Sequence, residues 1–310
     1  MKPFISVAIA TYNGEKFIIE QLRSVIEQSL KVDEIVIRDD ISSDGTERVI
    51  REFIREHNLQ DLIDFKVNDK NLGYASNFMG ALRATKGDYV LFCDQDDIWP
   101  GDRVEKMIGV LENNPEALMI GSEFEPFKSS DDAPDVPAWE LAKFRNDDSF
   151  EKLDFNSSNI FIGCQGCTMA MKRSFLDKID SYWYEGWAHD EFVWKMALSL
   201  EGLYFYHRIT LKRRLHSNNV TLHKEHKKEQ RLKYLTDLKK SHEKTLEFIN
   251  DNFGEKSEKA GLLRKHIKAT DLRIALIRDK KLFNTVRLLG YTDCYHKRRS
   301  IPVEFMMAIR

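Results

Sequence analysis

Asp94-Gln95-Asp96-Asp97 sets three carboxylates directly after the apolar run Tyr89–Cys93. That run reads as a buried strand. Pro100 and Gly101 break local structure shortly afterwards. Carboxylates at the carboxyl end of a parallel strand lie where open α/β sheets bind ligands. Asp94 and Asp96 are two apart, so a regular strand would point both to one face. At a strand end the same spacing lets one or both reach a divalent cation. Mg²⁺ and Mn²⁺ take oxygen ligands, often carboxylates shared with substrate phosphates. A solvated acidic loop would look the same in isolation, so the weight rests on what converges with it.

Four other stretches carry reactive side chains. Thr11-Tyr12-Asn13-Gly14 ends the apolar run Phe4–Ala10, and Asp39-Asp40 ends Glu34–Arg38. Tyr12 offers an aromatic face for a base. Asp39 can accept a hydrogen bond from a base or a ribose hydroxyl, as acidic residues do after the second strand of nucleotide folds. His189-Asp190-Glu191 opens a helical pattern, where the dipole favours acids in any case. Arg213-Arg214-Leu215-His216 follows a further strand, and an Arg and a His two apart can meet a diphosphate and a metal.

The elements that must position these groups alternate. Strands are predicted at 4–10, 34–38, 63–67 and 89–93, and helices at 15–30, 46–57 and 75–85, with Asp44 capping the second. This pattern predicts βαβ units, a parallel sheet, and loops gathered at one edge by right-handed crossovers. Strands are also expected at 118–121 and 203–206, a strand and turn within 160–171, and a mobile polar surface segment at 129–150. No G-x-G-x-x-G or G-x-x-x-x-G-K-[ST] stands at the turns, which argues against dinucleotide and P-loop chemistry.

The chain has 310 residues, 42% of them hydrophobic and 32% charged, with a formal net charge of -2. That balance argues against a nucleic-acid binder. No apolar run reaches membrane-spanning length, and Met1-Lys2-Pro3-Phe4 enters a strand pattern without a signal peptide. Four cysteines, with a lone CxxC at Cys164 and Cys167, make no disulfide framework. A cytoplasmic setting is expected, with a place at the inner face of the plasma membrane as its variant.

Ser6–Gly14, Asp39-Asp40-Ile41-Ser42-Ser43-Asp44-Gly45-Thr46, Asn71-Leu72-Gly73 and Asp94-Gln95-Asp96-Asp97 resemble, in this order, the motifs of inverting family-2 glycosyltransferases. The resemblance covers residues 1 to about 220. It implies a GT-A fold, a mostly parallel α/β sheet flanked by helices, with nucleotide-diphosphate sugars as donors and Mg²⁺ or Mn²⁺ as cofactor. By resemblance, Thr11, Tyr12 and Asp39 hold the nucleoside. Asn13, Glu15, Asp40, Asn71, Gly73, Asn77, Gln95 and Arg214 complete the donor set. Asp94 lies near ribose and sugar, Asp96 binds the metal-diphosphate, and His216 is a second metal ligand. Asp190 is the base, with His189 where the family usually has Glu and with Glu191 competing for the role. Ile41 stands where the family usually carries Gly. The Cys93–Asp97 wording, with Arg214, His216 and Asn219, points towards rhamnosyltransferases.

The division expected is a catalytic domain over 1–222 and an α-helical extension over 223–310. Residues 1–110 would be the nucleotide-binding half and 111–222 the acceptor half. In the extension Leu232, Leu235, Leu238 and Leu246 mark a first amphipathic helix, with others near 258–277 and 282–289. The tail mixes His296, Lys297, Arg298 and Arg299 with Phe305, Met306, Met307 and Ile309. Such a mixture fits a peripheral membrane contact, or packing on the catalytic domain or within a homodimer. The function expected is metal-dependent transfer from a UDP- or dTDP-sugar to a glycan or lipid-linked acceptor in bacterial surface polysaccharide synthesis. The rivals are a sugar nucleotidyltransferase, which wants a basic Gly-rich first loop, and a non-catalytic nucleotide-sugar binder.

Overall fold

Continuous β-branched runs make central strands because a parallel strand is covered on both faces. The structure, a computed structural model, describes residues 2–217, 227–297 and 300–309. β1 (Ile5–Thr11), α1 (Ile18–Ile26), β2 (Glu34–Asp39), α2 (Thr46–Glu56), β3 (Ile63–Val67), α3 (Tyr74–Ala84) and β4 (Tyr89–Cys93) alternate as the pattern predicts. Next come α4 (Arg103–Asn113), β5 (Met119–Lys128), α5 (Ala138–Leu141), β6 (Phe150–Lys152), β7 (Ala170–Lys172), α6 (Arg173–Ile179), α7 (His189–Ser199) and β8 (Leu203–Leu215). The chain ends in α8 (Lys228–Phe253), α9 (Glu258–Arg278), α10 (Asn284–Leu288) and α11 (Ser300–Ile309).

The eight strands form one sheet in the order β3-β2-β1-β4-β7-β5-β8-β6. β1, β2, β3 and β4 pair parallel, with Thr11 opposite Asp39. The chain runs outward from β1 to β3 and then returns to place β4 on the other side of β1. That reversal is the switch point at which open α/β sheets bind ligands, at the carboxyl ends. β7 is antiparallel to both β4 and β5, so the turn that precedes it reaches the same edge. β8 is parallel to β5, which brings Arg213–His216 to that edge as well. Ile5, Val7, Ile9, Ile35, Ile37, Leu91 and Cys93 share one core with Ile18, Leu22 and Val25 of α1. The 4-and-3 spacing of those α1 residues is what turns one helix face onto the sheet.

Several expectations are corrected. The strands expected at 118–121 and 203–206 extend to Lys128 and Leu215. Within 160–171 only Ala170 and Met171 join a strand, and Gly166–Thr168 is a short 3-10 turn. The polar 129–150 segment holds α5 and leads into β6, which pairs with β8. It is pinned by the buried Glu123, whose carboxylate accepts from the Arg145 and Asn146 amides at 2.8 and 2.9 Å. Asp44 accepts from the Thr46 amide at 3.0 Å, holding the start of α2.

The chain groups into two compact units, the second made of Asp154–Ile162, Leu198–Glu201 and the C-terminal helices. In this second unit Leu272 and Leu276 of α9 pack with Leu288, Tyr295 and Ala308. Glu304 of α11 is fully buried, with Arg273 at 2.8 Å and Arg231 at 2.5 Å. Removing one side of such a buried pair leaves an uncompensated charge, so these contacts fix α11 against α8 and α9.

Candidate active site

The first three loops interlock through side chains that satisfy backbone groups. The Thr11 hydroxyl donates to Asp39 Oδ2 at 2.8 Å. The Ser42 amide and hydroxyl donate to the same carboxylate at 2.8 and 2.6 Å. Three donors leave Asp39 one further acceptor position of roughly four. Asp40 accepts from the Leu72 amide at 2.7 Å, the Gly73 amide at 2.8 Å and Asn68 at 3.0 Å. Asn71 donates to the Asp40 carbonyl at 3.1 Å, and the buried Asn77 to the Arg38 carbonyl at 2.9 Å. Gly73 has a φ of 79°, the left-handed region that favours glycine. Asn13 accepts from the Ser43 amide at 2.8 Å, and Glu15 from the Gly45 amide at 3.0 Å. Gln95 brackets the Tyr12 main chain, accepting from its amide at 2.9 Å and donating to its carbonyl at 3.0 Å. A Cβ on Gly14 would stand 2.3 Å from Gln95 Oε1, so a larger residue there would have to push this amide off the Tyr12 main chain. The Tyr12 ring is half exposed at the mouth.

Ile41 takes a φ of 59°, costly for a β-branched residue, with its side chain exposed. The loop therefore keeps its course at an energetic cost. Ile41→Gly is expected to raise stability by about 1 kcal/mol, read as a higher denaturant midpoint. A lower midpoint would mean that the side chain contributes more than the strain costs.

The carboxylate cluster sits against basic groups from β8 and α4. Asp96 Oδ2 lies 2.7 Å from His216 Nε2. Arg214 donates to the Asp96 carbonyl at 2.7 Å, pairs with Glu20, and lies 4.7 Å from the ring centres of both Phe17 and Phe127. Its backbone amide donates to Asp97 Oδ1 at 2.9 Å. Burial, then the charge of Asp96, pushes the Asp94 carboxyl up to about 7, against the pull of Arg213. Burial, then Asp96 and Asp94, holds the Asp97 carboxyl well above the usual range. Cys167 closes this side: ligand atoms of Asp94, Asp97 and Cys167 lie within 4.8 Å of one another. An oxygen and an imidazole nitrogen converging at Asp96 and His216 suit a divalent cation such as Mn²⁺. Asn219 lies outside the described residues.

Asp190 is set by α7 and by the turn before β7. A Cβ on Gly166 would stand 3.2 Å from both Asp190 Cβ and His189 Nε2, so glycine allows the helix start to approach the turn. Asp190 adds to the negative field on Asp94, which ties the two halves of the site together. His189 is buried and stacks on Phe78 at 3.9 Å between ring centres. Burial lowers its pKa and favours the neutral ring. Glu191 is held by the buried Lys195 at 2.5 Å.

Two residues here are not legible as site residues in the sequence. Arg213 sits over Phe124, 5.3 Å from its ring centre, and offsets the charge of Asp94. Arg103, fully buried, donates to the Cys167 carbonyl at 2.6 Å and to Thr210. Burial pulls its pKa down to about 10. The nearest signal was the doubled Arg213-Arg214, since neighbours on a strand face opposite ways.

Residues 6–180, more than half of the chain, match the family model described as "Glycosyl transferase family 2". TuaG of Bacillus subtilis, whose provisional name makes it a teichuronic acid biosynthesis glycosyltransferase, is 34% identical over 107 residues, 34% of this chain and 41% of that protein. The dTDP-rhamnosyl transferase RfbG of Shigella flexneri is 37% identical over 107 residues, 33% of this chain and 36% of its own. The chain thus spans well under half the length of these two relatives. Among solved structures, S. aureus TarS 1-349 in complex with UDP-GlcNAc aligns over 98% of this chain and 90% of its own, with TM-score 0.63 and 16% identity. The mannosyltransferase PcManGT from Pyrobaculum calidifontis, in complex with GDP-Man and Mn²⁺, aligns over 100% and 86%, with TM-score 0.52 and 19% identity. With this match laid over the sheet and its switch-point edge, the chain belongs to glycosyl transferase family 2 and has the GT-A fold.

Proposed function

We propose that the protein is a metal-dependent inverting glycosyltransferase that moves a sugar from a UDP- or dTDP-sugar to a glycan or lipid-linked acceptor in bacterial surface polysaccharide synthesis. The observation that carries this reading is the gathering of Thr11, Asp39, the Asp94–Asp97 cluster, Arg213–His216 and the Asp190 turn at one sheet edge. The names of TuaG and RfbG and the ligands of TarS and PcManGT support it. RfbG also favours a dTDP-sugar, rhamnose among the candidates.

In this reading the donor set divides as the resemblance implies. Tyr12 and Asp39 meet the nucleoside, and Asp94 meets ribose and sugar. Asn13, Glu15, Asp40, Asn71, Gly73, Asn77 and Gln95, engaged by the loops themselves, shape the rim. Asp96 and His216 would hold the cation, whose charge when bound stabilises the departing diphosphate. Arg214 holds the Asp96 loop in place, and Arg213 adds positive charge beside it. Asp190 accepts the proton of the acceptor hydroxyl as that oxygen attacks the anomeric carbon from the face opposite the diphosphate. The new C–O bond forms as the bond to the diphosphate breaks, and the configuration inverts. We assign 1–110 to the donor, 111–222 to the acceptor and 223–310 to a helical extension. Among the described residues no helix is long and apolar enough to cross a membrane.

The test is release of nucleoside diphosphate from a panel of UDP-, dTDP- and GDP-sugars with Mn²⁺. One donor is expected to be hydrolysed slowly, and chelation should stop it. Turnover of a sugar phosphate with a nucleoside triphosphate instead would point to a nucleotidyltransferase.

A further inference from the structure

α10 and the turn that leads into it expose an unusual amount of apolar surface. Leu282 is 43% exposed, Phe283 73%, Val286 60% and Leu289 62%. Phe283, Val286 and Leu289 recur every three residues, which keeps them on one side of the helix. The opposite side is inward: Leu288 packs with Leu272 and Leu276, and Asn284 donates to the Leu272 carbonyl at 3.3 Å. The outer side is therefore not a frayed end but a face held outward by its own anchor. Soluble surfaces rarely gather so many large apolar groups without a partner.

The charges around this face are one-sided. Arg278, Lys280, Lys281 and Arg287 are all exposed. Asp279 is the single carboxylate between residues 278 and 290, and Arg278 pairs with it at 2.8 Å. Four cations against one anion give this stretch a formal charge of +3, on a chain whose whole formal charge is -2. A second copy of the same face would bring like charges together. An anionic lipid surface complements both features, with headgroups for the cations and acyl chains for the apolar side. The same unit also exposes Phe305, Met306 and Ile309 of α11, while Glu304 and Ala308 face inward.

We propose that the Leu282–Leu289 face, rimmed by Arg278, Lys280, Lys281 and Arg287, docks the protein on an anionic lipid surface. The proposal stands apart from the transferase reading. The exposed Arg287 stands between Val286 and Leu289, which suits shallow insertion at the interface. Arg298 and Arg299, which sequence reading also associated with a membrane, lie outside the described residues.

The test is flotation of the full chain with phosphatidylcholine vesicles, with and without phosphatidylglycerol. Binding is expected only with phosphatidylglycerol, and it should weaken as salt is raised. Phe283→Asp with Val286→Asp and Leu289→Asp, and separately Lys280→Glu with Lys281→Glu, should each lower binding at least about tenfold. All five positions are exposed, so the thermal midpoint should not change, and circular dichroism checks this. Absence of binding to anionic vesicles, or binding by both variants as tight as that of the unaltered chain, would overturn the proposal. So would concentration-dependent self-association that the triple variant abolishes, since the face would then belong to a second copy.

Discussion

Asp190→Asn is expected to slow sugar transfer by about 10²–10⁴-fold, the usual contribution of a positioned general base. Nucleotide affinity should barely change, because the side chain lies at the turn before β7 rather than in the loops around Thr11 and Asp39. Glu191 provides the contrast. Its carboxylate is bound to Lys195, which is 1% exposed and whose pKa burial already lowers. Glu191→Gln takes a carboxylate away from that buried ammonium, so the loss should fall on stability, at roughly 3 kcal/mol. The rate per folded molecule should be nearly kept. Steady-state kinetics beside thermal melts separate the two. A larger kcat loss for Glu191→Gln than for Asp190→Asn would move the base one residue along α7.

Asp96→Ala should cost about a thousandfold in turnover, since several kcal/mol of charge stabilisation on the leaving diphosphate goes with the cation. The variant should also need much more Mn²⁺ for half-maximal rate. His216 should then lose its partner at 2.7 Å, while Arg214 keeps its bond to the Asp96 carbonyl, so the loop should hold its course. A normal melting temperature with a large loss of metal response is the expected signature. Unchanged metal response would shift the cation to Asp94, Asp97 and Cys167, a cluster among the described residues whose ligand atoms lie within 4.8 Å of one another.

The first half of the fold was legible because its physics is local. Parallel central strands must be apolar throughout, and Ile5–Thr11 and Tyr89–Cys93 stand where that rule puts them, while the edge strand Ile63–Val67 alternates apolar and charged residues. Asp96 and His216 could be nominated by type, and the sheet brings them together across 120 residues. What was not legible depends on partners far away in sequence. A strand is expected within 160–171, but that only its end becomes β7 is decided by pairing with β4 and β5. Arg103 reads as an ordinary charge early in a helix, yet it is buried and bound to Thr210 and the Cys167 carbonyl. Glu123 reads as surface and is a buried hub for the 145–146 backbone. Glu304 sits in an apolar tail where nothing local announces two arginine partners. In the same region helical spacing marks Leu282–Leu289 as amphipathic, but only packing tells which side faces out.

The central claim is that the edge formed by Thr11, Asp39, Asp94–Asp97 and His216 is a site for a nucleoside diphosphate and a divalent cation. Calorimetric titration with UDP, dTDP and GDP, each with and without Mn²⁺, tests it most directly. One nucleotide should bind, its affinity should depend on Mn²⁺, and Asp96→Ala should abolish that dependence. No binding of any of the three in the presence of Mn²⁺ would contradict the assignment.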